Sequence, residues 1–166
     1  MSTFPKDVED LATEVLDLAR SKSLKIGTAE SCTGGLVCGA LTAIAGSSDV
    51  VEAAMVTYSN EAKVWLLGVD EDLLARHGAV SEEVARAMAG GALAALGVDL
   101  AVAVTGVAGP GGGSAEKPVG LVHFAVAGGG GGADHREERF GDIGRDEVRL
   151  ASVRVALDML RSRLRR

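Results

Sequence analysis

Three short segments place hydroxyl, phenol and amine groups beside glycines, at the points where strand-like segments end. These segments are AESCTGG at Ala29–Gly35, VTYSNEAK at Val56–Lys63 and TGVAGPGGG at Thr105–Gly113. A hydroxyl on a glycine-lined turn can approach the polar groups of a substrate closely, because glycine leaves space and permits unusual backbone angles. Together the three segments predict one small-molecule site.

Ser31 and Lys63 have the chemistry of a nucleophile and its base. A lysine accepts the proton of a serine hydroxyl only when it is partly neutral, which requires burial or a neighbouring cation to lower its pKa. Tyr58 is a further candidate catalytic residue, which would relay a proton or fix the lysine. The glycines after Ser31 leave amide groups free at a helix start, where an oxyanion or a phosphate would be stabilised.

Each of these residues also has an ordinary structural explanation. A serine before a helix, such as Ser31, is typical of an N-cap. Lys63 on a helix would usually be solvated, and Tyr58 at a strand end would usually pack as an amphipathic side chain. Cys32 is a rival nucleophile, although no histidine is near it in the sequence. The sequence alone leaves these alternatives open.

The cysteines and histidines do not form a metal-binding pattern. Cys32 and Cys38 are the only two cysteines, and their spacing suits neither a zinc site nor a disulfide framework. We therefore expect free thiols. His77, His123 and His135 are scattered along the chain and are interpreted as core or surface residues. No metal and no cofactor is predicted.

The segment Thr105–Gly113 contains five glycines in nine residues, which is more than a simple turn needs. This favours ligand contact by Thr105, Gly106 and Gly111. The segment is not a Walker loop, because no lysine follows a GxxxxG pattern. A second glycine run, Gly128–Gly132, is predicted to be the flexible tip of a hairpin.

Length, composition and charge limit the class of protein. A chain of 166 residues with 47% hydrophobic residues can bury roughly 70% of the surface of its unfolded form, so we expect residues 1–166 to form a single domain. No apolar run approaches the roughly 20 residues that span a bilayer, and we therefore expect a cytoplasmic protein without a membrane partner. The net charge of -6 argues against nucleic acid as a partner.

The elements that must position these residues alternate between helical and strand periodicity. The pattern predicts helices over residues 6–22, 36–45, from about 60, 81–96 and 144–164, and strands over residues 24–30, 50–59, 100–104, 121–127 and 135–140. The sum is a three-layer α/β/α sandwich with a mixed, mainly parallel sheet and an antiparallel edge hairpin. Because the carboxyl ends of parallel strands share one rim, Ser31, Tyr58 and Thr105 should meet there, with Lys63 reaching back from its helix.

Four motifs follow one another in a recognisable order: AESCTGG, VTYSNEAK with LLGV soon after, AVAVTGVAGPGGGSAEKPVG and GDIGRDEVR. In this order they closely resemble the CinA C-terminal domain family, in its stand-alone nicotinamide mononucleotide deamidase (PncC-like) form. The resemblance covers nearly the whole chain. It implies hydrolysis of the carboxamide of nicotinamide mononucleotide, which releases ammonia and nicotinic acid mononucleotide for pyridine nucleotide salvage. Many members carry an additional N-terminal domain that this sequence lacks, so no activity of that domain is inferred.

The resemblance also implies roles for individual residues. Ser31 looks like the elbow serine and nucleophile, Lys63 like the lysine that activates it, and Tyr58 like the tyrosine beside them. The residues implied to bind substrate lie in the elbow, in the second glycine loop and at the start of the last helix: Thr33, Gly34, Gly35, Thr105, Gly106, Gly111 and Arg145. An arginine suits the phosphate of a mononucleotide.

Three functions remain open from the sequence. The first is the metal-independent amidase, working through an acyl-enzyme or through a lysine-activated water. The second is a non-catalytic nucleotide-binding or protein-interaction module, and the third is an amidase for a different pyridine or nucleoside amide. The small residues of Met88–Ala95 could pack within the domain or across a dimer, and we expect a homo-oligomer.

Overall fold

The computed structural model describes residues 2–166 and contains one five-stranded sheet. Its strands are β1 (Ile26–Glu30), β2 (Val51–Val56), β3 (Leu100–Gly106), β4 (Leu121–Gly128) and β5 (Gly131–Arg139). Its helices are α1 (Lys6–Ser21), α2 (Leu36–Thr42), α3 (Asn60–Leu67), α4 (Glu71–His77), α5 (Glu82–Leu96) and α6 (Arg145–Leu164), with a short 3-10 turn at Ser47–Asp49.

The sheet is mixed, in the order β2-β1-β3-β4-β5. β1 pairs in parallel with both β2 and β3, whereas β3–β4 and β4–β5 are antiparallel. β1 is buried along its whole length, as expected for a strand covered on both faces. The predicted α/β architecture, with its parallel core and antiparallel edge hairpin, is confirmed.

Helices cover both faces of the sheet, and β3 presents large side chains to one face and small side chains to the other. Val102 and Val104 belong to the core on the face of α1, α2 and α6, and Ala101 and Ala103 belong to the core on the face of α3, α4 and α5. The alanines allow α5 to lie close to the strands. At Gly91 a Cβ would lie only 1.9 Å from the carbonyl oxygen of Leu67, so this glycine lets α5 approach the end of α3.

The longest helix, α6, has 20 residues and is tied to α1 by surface ion pairs. Arg154 Nε lies 2.6 Å from Asp7 Oδ2, and Arg161 Nη1 lies 3.1 Å from Glu14 Oε2. Within residues 2–166, no helix combines the length and the apolar character that crossing a bilayer requires.

Three local features differ from the sequence prediction. α4 was not predicted; Asp70 caps it, with Oδ1 accepting a hydrogen bond of 2.6 Å from the amide of Asp72. α2 ends at Thr42 rather than near residue 45. β5 begins at Gly131 instead of residue 135, because pairing with β4 extends the ladder into the glycine run.

Candidate functional site

A cavity of about 310 Å³ lies beyond the carboxyl ends of β1, β2 and β3. Its wall includes Ser31 after β1, Tyr58 after β2, Lys63 on α3, Thr105 on β3 and Arg145 at the start of α6. The structure therefore brings together residues from all three segments that the sequence singled out. Parallel pairing of β1 with both neighbours explains this, since it points the three strand ends at the same rim.

Ser31 and Lys63 form the central contact of this cavity. Lys63 Nζ lies 3.1 Å from Ser31 Oγ, and the lysine is only 1% exposed. Burial lowers the pKa of Lys63 below the ordinary value of a lysine. Lys63 is therefore not a solvated surface lysine. Ser31 is not the N-cap of α2 either, because Gly35 occupies that position.

Two backbone carbonyls hold the amine of Lys63 in place. Nζ donates to the oxygen of Thr57 over 2.8 Å and to the oxygen of Ser59 over 3.5 Å. A neutral amine has two N–H groups and one lone pair. When both N–H groups point at these carbonyls, the lone pair is left for the hydroxyl proton of Ser31, which is the arrangement that a general base requires.

Cys32 also lines the cavity, but its thiol is unsuited to nucleophilic attack. The residue is 6% exposed, and burial raises the pKa of its thiol to about 12. Burial also raises the pKa of Cys38, which is half-buried. Because the thiolate is the reactive form of cysteine, Ser31 is the better nucleophile of the two neighbours.

The start of α2 is occupied by the fully buried carboxylate of Glu30. Its two oxygens accept hydrogen bonds from the amides of Val37 and Cys38, at 2.9 Å and 3.0 Å, and from the hydroxyl of Thr28 at 3.0 Å. The sequence predicted free amides on the glycines at this helix start. The structure corrects that expectation for Gly34, whose amide donates to the oxygen of Ser31 over 3.0 Å, while Glu30 uses the amides of Val37 and Cys38.

The elbow residues Thr33, Gly34 and Gly35 are not in the wall of the cavity. Thr33 is fully buried, and within residues 2–166 its hydroxyl has no hydrogen-bond partner. Gly34 and Gly35 have φ values of +57° and +100°, which only glycine adopts at low cost. In this structure their role is to turn the chain from β1 into α2, and substrate contact by these three residues stays a prediction.

The second glycine loop forms the opposite wall. Thr105 is 1% exposed, and its hydroxyl donates to the oxygen of Ala79 over 2.8 Å. This bond ties β3 to the α4–α5 connection. Gly106 and Gly111 both line the cavity with their neighbours in the loop.

Tyr58 and Arg145 meet at the mouth of the cavity. Arg145 Nη2 donates to the Tyr58 hydroxyl over 2.9 Å, and Nη1 donates to the oxygen of Gly109 over 2.8 Å. Tyr58 is 62% exposed. The tyrosine hydroxyl is thus bonded to Arg145 and does not contact Lys63, contrary to the expectation that it fixes the lysine.

The wall of the cavity carries the permanent positive charge of Arg145. Lys63 is the other basic residue, and among the residues described by the structure the wall contains no aspartate or glutamate. This composition favours an anionic ligand. Asn60 and Val80 also line the cavity and were not predicted from the sequence. Asn60 lies inside VTYSNEAK, which could have indicated it, whereas Val80 follows α4, which was not predicted.

Three larger hollows lack such chemistry. One of about 470 Å³ lies beside the β4–β5 hairpin tip, one of about 510 Å³ lies between α1 and α6, and one of about 380 Å³ lies between α3 and α4. None of the three is lined by a serine, threonine, cysteine or tyrosine. The smaller cavity at the strand ends is therefore the candidate active site.

The histidines lie outside this cavity, and two of them are not scattered. His123 Nδ1 and His135 Nε2 are 2.9 Å apart, and the rings stack with centroids 5.2 Å apart. Pairing of β4 with β5 brings them together, which the sequence analysis did not foresee. Across residues 2–166, no three His, Cys, Asp or Glu side chains converge in a way that could hold a metal ion.

Comparison with known proteins gives a consistent result. A family model described as the CinA C-terminal domain matches residues 8–164. A CinA-like protein from Synechococcus sp. (strain RCC307) is 56% identical over 162 residues, which is 97% of this chain and 39% of that relative. A CinA-like protein from Geobacter sp. (strain M21) is 50% identical over 97% of this chain and 38% of its own length. The chain thus spans about two fifths of these relatives.

Solved structures agree with the fold over the whole chain. The competence/damage inducible protein CihA from Agrobacterium tumefaciens has a TM-score of 0.97 and 55% identity, covering 100% of both chains. A CinA superfamily protein from Klebsiella pneumoniae has a TM-score of 0.90 and 36% identity, covering 95% of this chain and 98% of that one. With the family model matching nearly every residue, this chain belongs to the CinA C-terminal domain family.

Proposed function

We propose that the protein is a Ser/Lys-type, metal-independent amidohydrolase that converts nicotinamide mononucleotide to nicotinic acid mononucleotide and ammonia, and so serves pyridine nucleotide salvage. The observation that carries the proposal is the 3.1 Å contact between Ser31 Oγ and the buried Nζ of Lys63. A nucleophile and a base within hydrogen-bond reach are the first requirement for cleaving an amide by covalent catalysis.

The first half of the reaction forms an acyl-enzyme. Ser31 Oγ attacks the carboxamide carbon, its proton moves to Lys63 Nζ, and the electron pair of the C=O bond moves to the oxygen. The tetrahedral intermediate then collapses and the C–N bond breaks. The leaving nitrogen takes the proton from Lys63 and departs as ammonia, so that the lysine is neutral again.

The second half regenerates the enzyme. Water attacks the ester carbonyl and gives a proton to Lys63, and collapse of the second tetrahedral intermediate breaks the bond between the acyl carbon and Ser31 Oγ. Lys63 returns the proton to Oγ. The product leaves as a carboxylic acid and loses its proton to solvent.

The charge of the cavity supports a phosphorylated substrate. Arg145 is at the mouth, and two of its N–H groups bond to Tyr58 and Gly109. Its remaining donors can bind phosphate oxygens, because a guanidinium has five N–H groups in a planar fork. Lys63 lies deep in the cavity, where the carboxamide would react. The substrate would then be held by its phosphate at the mouth and cleaved at its ring amide inside.

The test is ammonia release from nicotinamide mononucleotide by the purified, chelator-treated protein. We expect Ser31→Ala to lower turnover by at least about 10³-fold while leaving the Tm near the wild-type value, and Cys32→Ala to retain most of the activity. Acid quenching during turnover should trap the acyl group on the peptide that contains Ser31.

Other outcomes point elsewhere. Turnover that persists in Ser31→Ala and in Lys63→Ala would reject the mechanism. Turnover that needs Lys63 and leaves no trapped acyl group would favour the lysine-activated water. Nucleotide binding without ammonia release would favour the non-catalytic module.

A further inference from the structure

The elbow, which is the turn Ser31–Gly35 between β1 and α2, is hydrogen-bonded to a residue of α6. Arg149 Nε donates to the oxygen of Cys32 over 3.1 Å, and Nη2 donates to the oxygen of Thr33 over 3.3 Å. These residues are more than a hundred positions apart in the sequence. Two consecutive carbonyls of the elbow therefore face the guanidinium.

Gly34 leaves the room for this contact. A Cβ at Gly34 would lie 3.3 Å from Arg149 Nη2, and the residue also has a φ of +57°. A side chain here would be strained by the backbone angle and would crowd the guanidinium. The absence of a side chain at Gly34 therefore allows the guanidinium of Arg149 to lie against the elbow.

Fixing these carbonyls also fixes the amides of the elbow. A peptide unit is planar and trans, so its N–H points away from its C=O. The carbonyl of Cys32 faces Arg149, and the N–H of the same peptide unit, that of Thr33, therefore points to the opposite side. The carbonyl of Ser31 accepts from the amide of Gly34 over 3.0 Å, which likewise turns the N–H of Cys32 away from Gly34.

These two amides are not bonded to any backbone carbonyl. Across the described part of the chain, residues 2–166, neither the N–H of Cys32 nor that of Thr33 donates a hydrogen bond to a carbonyl oxygen. Buried amides are almost always paired, and Cys32 and Thr33 are both buried. Cys32 directly follows the nucleophile and lines the cavity.

We propose that Arg149 is a positioning residue: its bond to the carbonyl of Thr33 fixes the Thr33–Gly34 peptide unit, whose N–H holds the carbonyl of Ser31, and so keeps the N–H of Cys32 at the cavity for the oxyanion that forms when Ser31 attacks. The inference rests on the proposed amidase function. Arg149 acts through the elbow and touches no substrate. The oxyanion exists only in the tetrahedral intermediates and the transition states that flank them, so loss of this arrangement should affect kcat and leave substrate binding unchanged.

The experiment compares Arg149→Met, Arg149→Lys and the control Arg154→Met. Arg154 lies on the same helix and pairs with Asp7 on the surface. We expect Arg149→Met to lower kcat for nicotinamide mononucleotide by about 10²- to 10³-fold, the cost typical of a lost oxyanion donor, with KM within about twofold of wild type. Arg154→Met should keep both constants.

Rescue separates positioning from general stabilisation. Free guanidinium, at concentrations well below those that unfold the protein, should restore part of the kcat of Arg149→Met and none of the activity of Ser31→Ala. Arg149→Lys keeps the positive charge, so we expect this variant to fold even if Arg149→Met does not. Because lysine lacks the planar fork of donors, we expect its kcat to be about tenfold lower than that of the wild type. Binding of nicotinamide mononucleotide to Ser31→Ala should be unaltered by adding Arg149→Lys.

The outcomes distinguish this inference from the function on which it rests. Wild-type protein that releases no ammonia would reject the amidase and the inference together. Wild-type turnover with an unchanged kcat in both Arg149 variants would reject the inference alone. A fall in Tm with a parallel loss of kcat and of substrate binding, and without guanidinium rescue, would also overturn it, since Arg149 would then be only structural.

Discussion

Arg145 donates a hydrogen bond of 2.9 Å to the hydroxyl of Tyr58, across a sequence separation of 87 residues. The bond joins the start of α6 to the segment after β2, directly over the mouth of the cavity. It holds a cation at the entrance, where a substrate phosphate would arrive, and the aromatic ring of Tyr58 is exposed beside it.

Replacing Arg145 should therefore distinguish substrates by their phosphate. We expect Arg145→Ala to raise the KM for nicotinamide mononucleotide by about 10- to 100-fold. This is the loss of affinity expected when one or two charge-assisted hydrogen bonds to the phosphate are removed. The KM for nicotinamide riboside, which lacks the phosphate, should not change. Steady-state ammonia release with both substrates makes the measurement. The exposed Arg139→Ala variant is the control, and equal losses for the two substrates would contradict phosphate binding at Arg145.

The burial of Lys63 predicts the pH dependence of the reaction. Because the pKa of this lysine is lowered, the neutral base forms at a lower pH than for a solvated lysine. A plot of kcat/KM against pH should rise with an apparent pKa below the ordinary lysine value and then level off. A limb that keeps rising to the pKa of a solvated lysine would count against Lys63 as the base.

The same shift predicts how stability depends on pH. The folded state holds the proton of Lys63 less tightly than the unfolded chain does, so more protons are bound in the unfolded state between the two pKa values. The free energy of unfolding contributed by Lys63 therefore rises with pH through that window. Lys63→Met should remove this rise, whereas the exposed Lys22→Met should keep it; chemical denaturation at several pH values measures both.

Alkylation tests the assignment of Ser31 over its neighbour. With a thiol pKa of about 12, only about one Cys32 in 10⁵ is a thiolate at pH 7. Iodoacetamide at neutral pH should therefore leave Cys32 unmodified and turnover intact, as shown by mass spectrometry and ammonia release on the same sample. Two variants serve as controls, Cys38→Ser and the same variant with Cys32 also replaced. If labelling of Cys32 inactivates the first variant and iodoacetamide has no effect on the second, the thiol of Cys32 would be the nucleophile.

The pair of His123 and His135 predicts sensitivity to acid away from the active site. Burial lowers the pKa of both rings, and for His123 the repulsion from His135 adds to it. Glu82 and Glu137 oppose these shifts, while Lys117 adds to the lowering at His123 and Arg86 to that at His135. Below the ordinary histidine pKa the unfolded chain binds more protons than the folded chain, so stability falls as pH falls towards the lowered values.

Thermal unfolding between about pH 7 and about pH 5 measures this effect. The wild-type Tm should fall more steeply than that of His135→Gln, since the variant has lost one ring with a lowered pKa and the repulsion that this ring exerts on His123. His77→Gln, outside the pair, should follow the wild type. Parallel curves for all three proteins would show that the pair contributes no acid sensitivity.

Periodicity and topology together predict much of the site. The alternation of strands and helices places Ser31, Tyr58 and Thr105 at strand ends, and parallel pairing then puts them at one rim. The amphipathic helix over residues 6–22 and the helix that begins after Ser81 were also predicted near their observed bounds. These features depend on local patterns and on a rule that holds for open α/β sheets in general.

Features that depend on contacts between distant elements could not be predicted. The pairing of His123 with His135 needs the register of β4 and β5, and the clamp of Arg149 on the elbow needs the docking of α6. Glu30 was read only as part of a motif, although its burial decides which amides at α2 remain free. α4 is only 7 residues long, too short for helical periodicity to identify it.

The positively charged cavity wall sits in a chain whose net charge is -6. An anionic ligand is therefore repelled at long range and attracted only near Arg145 at the mouth of the cavity. Dissolved ions screen the distant charges over about 8–10 Å and affect a contact inside the cavity much less. Moderate ionic strength should thus speed the capture of a mononucleotide, opposite to the salt response of an enzyme whose whole surface guides its substrate.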